Sequence, residues 1–232
     1  QRGKLKSAEK YLRRAIQTAP KNPMGHGGLG IVRLAQNRYK DAAALFEHAL
    51  SISADQPHIH NNFGLALAEL GKFAEAAQHY EEALRMAPHY ADAWLNLGKL
   101  RQDEGRLDDA AGCYEQALKT APNMAEAYNN LGNIHHRTGH TDAALASYTR
   151  AVEANPNYVE ALFNKAIMQG EVGEIDDAVD SYRAVIKVDA DHIEAICGLG
   201  EALETLGEAG EAEDCYRRAS KIRLDQLSEA RE

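Results

Sequence analysis

The sequence predicts an all-α protein, a right-handed superhelical α-solenoid built from antiparallel helix pairs. Two observations predict this class. Glycine, alanine, aromatic and proline residues recur with a period of 34 residues along the chain. Within each period, apolar residues lie three and four positions apart, which is the spacing of an amphipathic helix. A fixed period of this length is typical of stacked helical repeats with an extended binding surface, and not of one globular core around a catalytic pocket.

The period divides the chain into part of one repeat, six complete repeats and a tail. Residues 1–22 are expected to form only the second helix of an earlier repeat, because the chain begins in the middle of the pattern. We interpret the chain as a segment excised from a longer protein. The complete repeats are predicted at 23–56, 57–90, 91–124, 125–158, 159–192 and 193–226, followed by a C-terminal helical tail at 227–232.

Several positions of the repeat, numbered from one to thirty-four, have a clear packing role. Position eight is glycine in five repeats and alanine in one, and position twenty-four is phenylalanine or tyrosine in all six. We expect the small residue to let two helices approach closely while the aromatic ring fills the space beside them. Position fifteen is glycine or asparagine, the residues that adopt a left-handed conformation at the lowest cost, so the first helix of each repeat should end there. Proline at position thirty-two of three repeats should stop the second helix.

These columns resemble the tetratricopeptide repeat (TPR), whose pattern has Trp, Leu, Gly, Tyr, Ala, Phe or Tyr, Ala and Pro at the same spacings. The repeat at 91–124 is the most similar. It carries Trp94, Leu97, Gly98, Ala110, Tyr114, Ala117 and Pro122. The resemblance covers residues 23–226, and it implies that the first helices of the pairs line a concave surface.

The composition limits the classes of protein to which the chain can belong. It has no apolar run close to the eighteen residues of a membrane-spanning helix and no secretory signal, so we expect a soluble protein without a membrane partner. Its cysteines, Cys113, Cys197 and Cys215, are odd in number and far apart. They are expected to pack beside helices in a reducing cytoplasm.

No pattern of residues indicates catalysis, a cofactor or a metal. The sequence lacks the GxSxG, phosphate-loop and HExxH motifs, so we do not predict an enzyme. His135, His136 and His140 form a local cluster, but no carboxylate or thiol accompanies them at ligand spacing. The formal net charge is -9, which argues against a nucleic-acid partner because that affinity depends on Lys and Arg. The basic segment 1–22 is either a solvated face or a docking patch for an acidic neighbour.

Position six indicates a function. Four consecutive repeats carry asparagine there, as Asn62, Asn96, Asn130 and Asn164. This column resembles the asparagine ladder in the superhelix of the O-linked N-acetylglucosamine transferase family, and by that resemblance the amides face the groove. An amide can bond the N–H and the C=O of a peptide unit together without reading its side chain. The alternative is structural: amides at this position cap or bridge adjacent helices.

Neighbouring positions on the first helices complete the predicted peptide-binding site. Position two is acidic in four successive repeats, either because acidic residues favour the first turn of a helix or because they select Lys or Arg in the ligand. The remaining candidates are Asn61, Asn129, Asn133, Lys99 and Arg137, together with the acidic residues Asp92, Glu126 and Glu160.

The sequence therefore predicts a protein–protein interaction module that binds an extended peptide segment of a partner in its concave groove, as an adaptor or substrate-recruiting domain. We expect alanine at Asn96 and Asn130 to weaken this binding while the melting temperature stays nearly unchanged.

Two other hypotheses remain. The segment could be the recognition arm of a larger glycosyltransferase or sulfotransferase whose catalytic domain lies outside it. It could also be a scaffold that assembles with copies of itself.

Overall fold

The computed structural model describes residues 2–229 as thirteen α-helices, with no strand among them. Gln1 and the last three residues of the predicted tail, 230–232, lie outside the described residues. The helices are α1 (Arg2–Thr18), α2 (Pro23–Leu34), α3 (Tyr39–Ile52), α4 (Pro57–Glu69), α5 (Phe73–Met86), α6 (Ala91–Asp103), α7 (Leu107–Thr120), α8 (Ala125–Arg137), α9 (Thr141–Ala154), α10 (Val159–Glu171), α11 (Ile175–Val188), α12 (Ile193–Leu206) and α13 (Ala209–Glu229).

The helices pack as consecutive pairs, and the all-α class predicted from the period is confirmed. The chain divides into an N-terminal half (Gln1–Pro122) and a C-terminal half (Asn123–Glu232). In the N-terminal half, α1 packs on α2, and the pairs are α2 with α3, α4 with α5, and α6 with α7. In the C-terminal half, the pairs are α8 with α9, α10 with α11, and α12 with α13.

Position fifteen has the left-handed conformation that the sequence predicts. Its five glycines have φ between 75° and 83°, and Asn37 has φ 56°. A side chain with a Cβ is strained in this conformation, so glycine allows each first helix to end and the chain to turn at once into the second helix. The turns therefore depend on a local backbone property.

The predicted contact between positions eight and twenty-four is also confirmed. A Cβ added to Gly132 would lie 2.5 Å from the ring of Tyr148, and one added to Gly98 would lie 2.6 Å from the ring of Tyr114. Tyr114 is 0% exposed and Tyr148 is 1% exposed. Because glycine has no side chain, a slot remains between the two helices of one pair, and the ring fills it.

The repeat at 159–192 uses a different arrangement because it carries Ala166 at position eight. Its ring, Tyr182, lies against Gly198 in the next first helix, where an added Cβ would be 2.6 Å from the ring. Gly198 stands at position six, where the four preceding repeats have asparagine. The ring of Tyr182 therefore explains why the asparagine column ends at this point.

Position four supplies a hydrogen bond that the sequence pattern does not predict. The indole N–H of Trp94 donates to the carbonyl oxygen of Pro88 at 2.9 Å. Ring nitrogens of His26 and His60 lie 3.2 Å and 3.1 Å from the carbonyl oxygens of residues 20 and 54, which occupy the equivalent place. Histidine thus stands where other repeats carry Trp94 or Tyr128. These rings tie the start of a first helix to the connection that follows the preceding second helix.

A partly buried ion pair holds α1 on α2. Arg33 is 4% exposed, and its guanidinium donates to both carboxylate oxygens of Glu9, at 2.9 Å and 2.7 Å. Hydrogen bonds from Arg33 and then Arg13 lower the pKa of Glu9 from 4.5 to about 2. The carboxylate is therefore favoured in its charged form by the folded protein.

The Glu9 pair is expected to make stability depend on pH in the acid range. Because the folded protein lowers this pKa, the pair stabilises the fold above about pH 4.5, and the stabilisation is lost as the pH falls towards 2. A Glu9→Gln variant should melt at a lower temperature than the wild type at pH 7, and the difference should disappear by about pH 2. Thermal melts from pH 7 to pH 2 test this, with the exposed Glu47→Gln as the charge-matched control. A difference that does not depend on pH would contradict the assignment.

Candidate functional site

The asparagine column lies on the first helices of four consecutive pairs. Asn62 and Asn96 are half-buried on α4 and α6 in the N-terminal half. Asn130 and Asn164 are half-buried on α8 and α10 in the C-terminal half. Each half therefore contains two of these amides, and their hydrogen bonds differ from one repeat to the next.

In the N-terminal half, Asn96 links two neighbouring first helices. Its Nδ2 donates to Oδ1 of Asn61 at 3.0 Å, and Asn61 is only 5% exposed. The pKa of the Tyr90 hydroxyl is raised by burial and then by Asp92, while a hydrogen bond from Asn61 acts in the opposite direction. Asn96, Asn61 and Tyr90 thus form a connected polar cluster. The amide of Asn96 donates to Asn61, and the amide of Asn61 donates to the hydroxyl of Tyr90.

The C-terminal half contains an equivalent cluster. Nδ2 of Asn164 donates to Oδ1 of Asn129 at 3.1 Å and to Oδ1 of Asn133 at 3.2 Å. The hydroxyl of Tyr148 also donates to Oδ1 of Asn133, at 2.8 Å. Burial raises the pKa of Tyr158 to about 12, and a hydrogen bond from the Asn129 amide opposes this shift. Asn129 is 5% exposed, so its oxygen depends on Asn164 for a partner.

The other two asparagines of the column make no such link. Nδ2 of Asn62 donates at 2.8 Å to the carbonyl oxygen of His58 in its own helix. Nδ2 of Asn130 is buried without a hydrogen-bond partner. The residue 35 places earlier, at position five of the preceding repeat, is Gly27 for Asn62 and Leu95 for Asn130. Neither residue has a side-chain acceptor. An asparagine at position six therefore bridges two helices only where the residue 35 places earlier is also asparagine.

The amide oxygens of the column are free. No residue among 2–229 donates a hydrogen bond to Oδ1 of Asn62, Asn96, Asn130 or Asn164. Within that range, Nδ2 of Asn130 is the only buried side-chain nitrogen or oxygen without a partner, so the four oxygens reach solvent. The structural alternative, in which amides at position six bridge adjacent helices, therefore describes the nitrogens of Asn96 and Asn164. Because both N–H groups of Asn164 are occupied, it can offer a ligand only an acceptor.

The charged residues of the predicted site lie on the same first helices. Asp92 and Glu160 are exposed in the first turns of α6 and α10, and Glu126 is half-buried in the first turn of α8. Arg137 is exposed in the last turn of α8. Lys99 is half-buried one turn after Asn96 on α6. The structure thus places carboxylates at the start of these helices and amides near their middle.

A cavity of about 330 Å³ lies beside Asn96, between α4, α5 and α6. It is lined by Leu65, Ala68, Glu69, Phe73, Tyr80, Asn96, Lys99, Leu100 and Asp103. Of these, the sequence analysis named Asn96 and Lys99 as site residues. Glu69 and Asp103 were not named, although both stand at position thirteen of their repeats, as the candidate Arg137 does, one turn beyond position nine on the same helix face.

The histidine cluster does not form a metal centre in the part of the chain that the structure describes. The rings of His135 and His140 are 6.4 Å apart, and His136 lies 3.4 Å from a carboxylate oxygen of Glu171. Across residues 2–229, no three His, Cys, Asp or Glu side chains are placed to hold a metal ion. No helix in that range is long and apolar enough to span a membrane.

Family models place the chain among known repeats. Five models described as the tetratricopeptide repeat, or TPR repeat, match residues 1–61, 64–105, 95–159, 147–180 and 193–226. The chain belongs to the tetratricopeptide-repeat family. All five matching models describe repeats, and none describes a catalytic domain. Membership of this family supports the interpretation of this TPR protein as a protein–protein interaction module.

Solved structures of other TPR proteins are similar to this one. MamA is 26% identical, with 71% of this chain and 96% of that chain covered at a TM-score of 0.66. YrrB, described as a TPR protein with an unusual peptide-binding site, is 23% identical, with coverages of 80% and 95% at a TM-score of 0.66. PilF of Pseudomonas aeruginosa is 14% identical, with coverages of 93% and 100% at a TM-score of 0.80. A search of curated proteins finds no match.

Proposed function

We propose that this TPR protein binds an extended peptide segment of a partner protein across its first helices, as an adaptor or recruiting domain. The observation that carries the proposal is the set of solvent-accessible Oδ1 atoms on Asn62, Asn96, Asn130 and Asn164. An extended peptide has backbone N–H groups that need acceptors, and these oxygens are acceptors held in fixed positions. The bonds from Asn96 to Asn61 and from Asn164 to Asn129 orient the amides in advance, which reduces the entropy cost of binding.

The spacing of the helices suits a peptide backbone. Packed helices lie about 8–10 Å apart, and an extended chain advances about 3.3 Å per residue, so neighbouring asparagines would meet every third residue of the ligand. Each hydrogen bond contributes about 0.5–1.5 kcal/mol, so the two asparagines of one half supply about 1–3 kcal/mol. Micromolar affinity requires about 8 kcal/mol. Side-chain contacts must therefore supply most of the binding free energy.

The charge of the face favours a ligand with basic residues. Asp92 and Glu160 are exposed beside the amides, and the chain has a formal net charge of -9. Carboxylates of this kind attract Lys and Arg and slow the approach of acidic segments. We therefore propose a partner segment that is extended and carries positive charge.

The Asn62→Ala/Asn130→Ala variant tests the proposal cleanly. Asn62 bonds only to its own helix, and Nδ2 of Asn130 has no partner, so neither change deprives another side chain of a bond. We expect unchanged helicity and melting, and about tenfold weaker binding, which corresponds to the loss of two hydrogen bonds. The measurement is fluorescence anisotropy with peptides selected from a random display library on the wild-type protein.

The exposed Asn157→Ala is the matched control, because it removes an amide from the connection between α9 and α10. Light scattering over a range of protein concentrations separates self-association from peptide binding. The proposal is rejected if no peptide is selected, or if the double variant binds the selected peptides as tightly as the wild type does.

A further inference from the structure

We propose that the cavity beside Asn96 takes an arginine or lysine side chain of the bound peptide. This inference rests on the proposed function and adds a specificity-determining site to it. The cavity lies within the N-terminal half, between α4, α5 and α6. Its volume of about 330 Å³ is near the lower end of the range for ligand pockets, ~300–1,000 Å³, which suits one long side chain.

Two carboxylates at the cavity have no cationic partner. Glu69 and Asp103 line it and are both exposed. Neither has an ion-pair contact within 4.0 Å among residues 2–229, whereas several carboxylates on the second helices α5 and α7 do. Glu75 is paired with Lys72, and Asp109 with Arg106. The hydroxyl of Tyr39 donates a hydrogen bond to Glu69, but it carries no charge, so the negative charge of both carboxylates is not neutralised by an ion pair within residues 2–229.

The third charged residue of the lining does not cancel this preference. Lys99 lies on the same wall and is engaged in an interaction of its own. The lining as a whole carries two carboxylates and one ammonium, so its formal charge is negative. A basic ligand side chain gains attraction from Glu69 and Asp103, while an acidic one would face two like charges.

The remaining walls suit the alkyl stem and the cationic head of such a side chain. Leu65, Ala68 and Leu100 provide apolar surface, on which the methylene groups of Lys or Arg can pack. Phe73, at the start of α5, is 48% exposed and lines the cavity. A guanidinium over an aromatic face gains a cation–π interaction, which favours Arg over Lys.

Asn96 connects the cavity to the peptide backbone. Asn96 is part of the lining, and its Nδ2 is fixed by Asn61. A peptide N–H bonded to Oδ1 of Asn96 therefore brings a neighbouring residue of the same peptide to the mouth of the cavity. Asn96 thus binds the backbone of the peptide, while the cavity selects the side chain of the neighbouring residue.

The experiment begins with a peptide that the wild-type protein selects from a random display library, synthesised with arginine or with citrulline at each basic position. Citrulline keeps the length and shape of arginine but removes its charge. At one position we expect citrulline to weaken binding about 3- to 10-fold, which is the loss expected for one or two exposed charge contacts. In the Glu69→Gln/Asp103→Asn variant, the preference for arginine over citrulline should fall to the small part that the cation–π interaction with Phe73 contributes.

The control variant is Asp108→Asn/Glu115→Gln, which removes two exposed carboxylates from α7 in the same half of the chain. It should keep the preference for arginine. The inference is overturned if the wild type selects peptides without basic residues, or if the preference is undiminished in the Glu69/Asp103 variant, and in both cases the proposed peptide binding stands. If no peptide is selected, the inference and the proposed function fail together. Melting temperatures of all variants exclude a loss of folding.

Discussion

Gly132→Ala is expected to destabilise the C-terminal half by about 1–3 kcal/mol, the cost of inserting a methyl group into a well-packed core. The new Cβ would lie 2.5 Å from the ring of Tyr148, which is 1% exposed and has no room to withdraw. The repeat at 159–192 carries alanine at this position only because Tyr182 rests against Gly198 of the next helix. The repeat that follows Tyr148 carries Asn164 at the position equivalent to Gly198. The ring of Tyr148 therefore cannot pack on the next first helix as Tyr182 does.

The control for Gly132→Ala is the same substitution at Gly170, which is expected to have the opposite sign. Gly170 lies within α10, and a Cβ added there meets nothing within 4 Å. Alanine should raise stability by about 0.5–1 kcal/mol, because glycine loses more conformational freedom in a helix. Hydrogen exchange of amides in α8 to α11 measures both variants. Equal effects at the two glycines would show that the slot for the ring does not limit stability.

Asn164→Ala is expected to destabilise the C-terminal half by about 1–3 kcal/mol, the cost of leaving a buried polar atom without a partner. Asn164 supplies the bond to Oδ1 of Asn129, and Asn129 is 5% exposed. Asn130→Ala removes an amide whose Nδ2 is already unpaired, so its effect should stay within about 0.5 kcal/mol. Our expectation from the sequence, that alanine at Asn96 would leave melting nearly unchanged, is revised for the same reason. Asn96 supplies the bond to Oδ1 of buried Asn61.

A double variant separates the hydrogen bond from other effects of Asn164. Asn129→Leu/Asn164→Ala removes both partners and places leucine at position five, as the preceding repeat already has at Leu95. It also removes the bond from Asn129 to the hydroxyl of Tyr158, but Tyr158 is only half-buried, so water can replace this partner. Replacing both partners by apolar groups costs little, so the double variant should be more stable than Asn164→Ala alone. Urea denaturation followed by circular dichroism tests this. A double variant that is less stable than the single one would contradict the proposed link between the two helices.

The scaffold could be predicted from the sequence almost completely, because each of its rules acts within one helix pair. The left-handed turn at Gly139 needs a residue without a Cβ, and the slot at Gly132 needs a small residue beside Tyr148. The period repeats these local requirements, so one column of residues predicts the same contact in each pair except the one at 159–192, where Ala166 replaces glycine and Tyr182 packs on Gly198. The candidate site could be predicted only by its columns. Which asparagines bridge helices depends on a residue in a neighbouring repeat, as with Asn96 and Asn61.

The sequence by itself determined the helix pairs, their turns and the position of the amides on the first helices, since these follow from backbone conformation and from a register that sterics enforce. Only the tertiary structure decided which atoms of those amides are free. Hydrogen bonds between helices occupy the nitrogens of Asn96 and Asn164 and leave the oxygens open. It also decided that Glu69 and Asp103 share one cavity, because packing brings together side chains that lie on different helices.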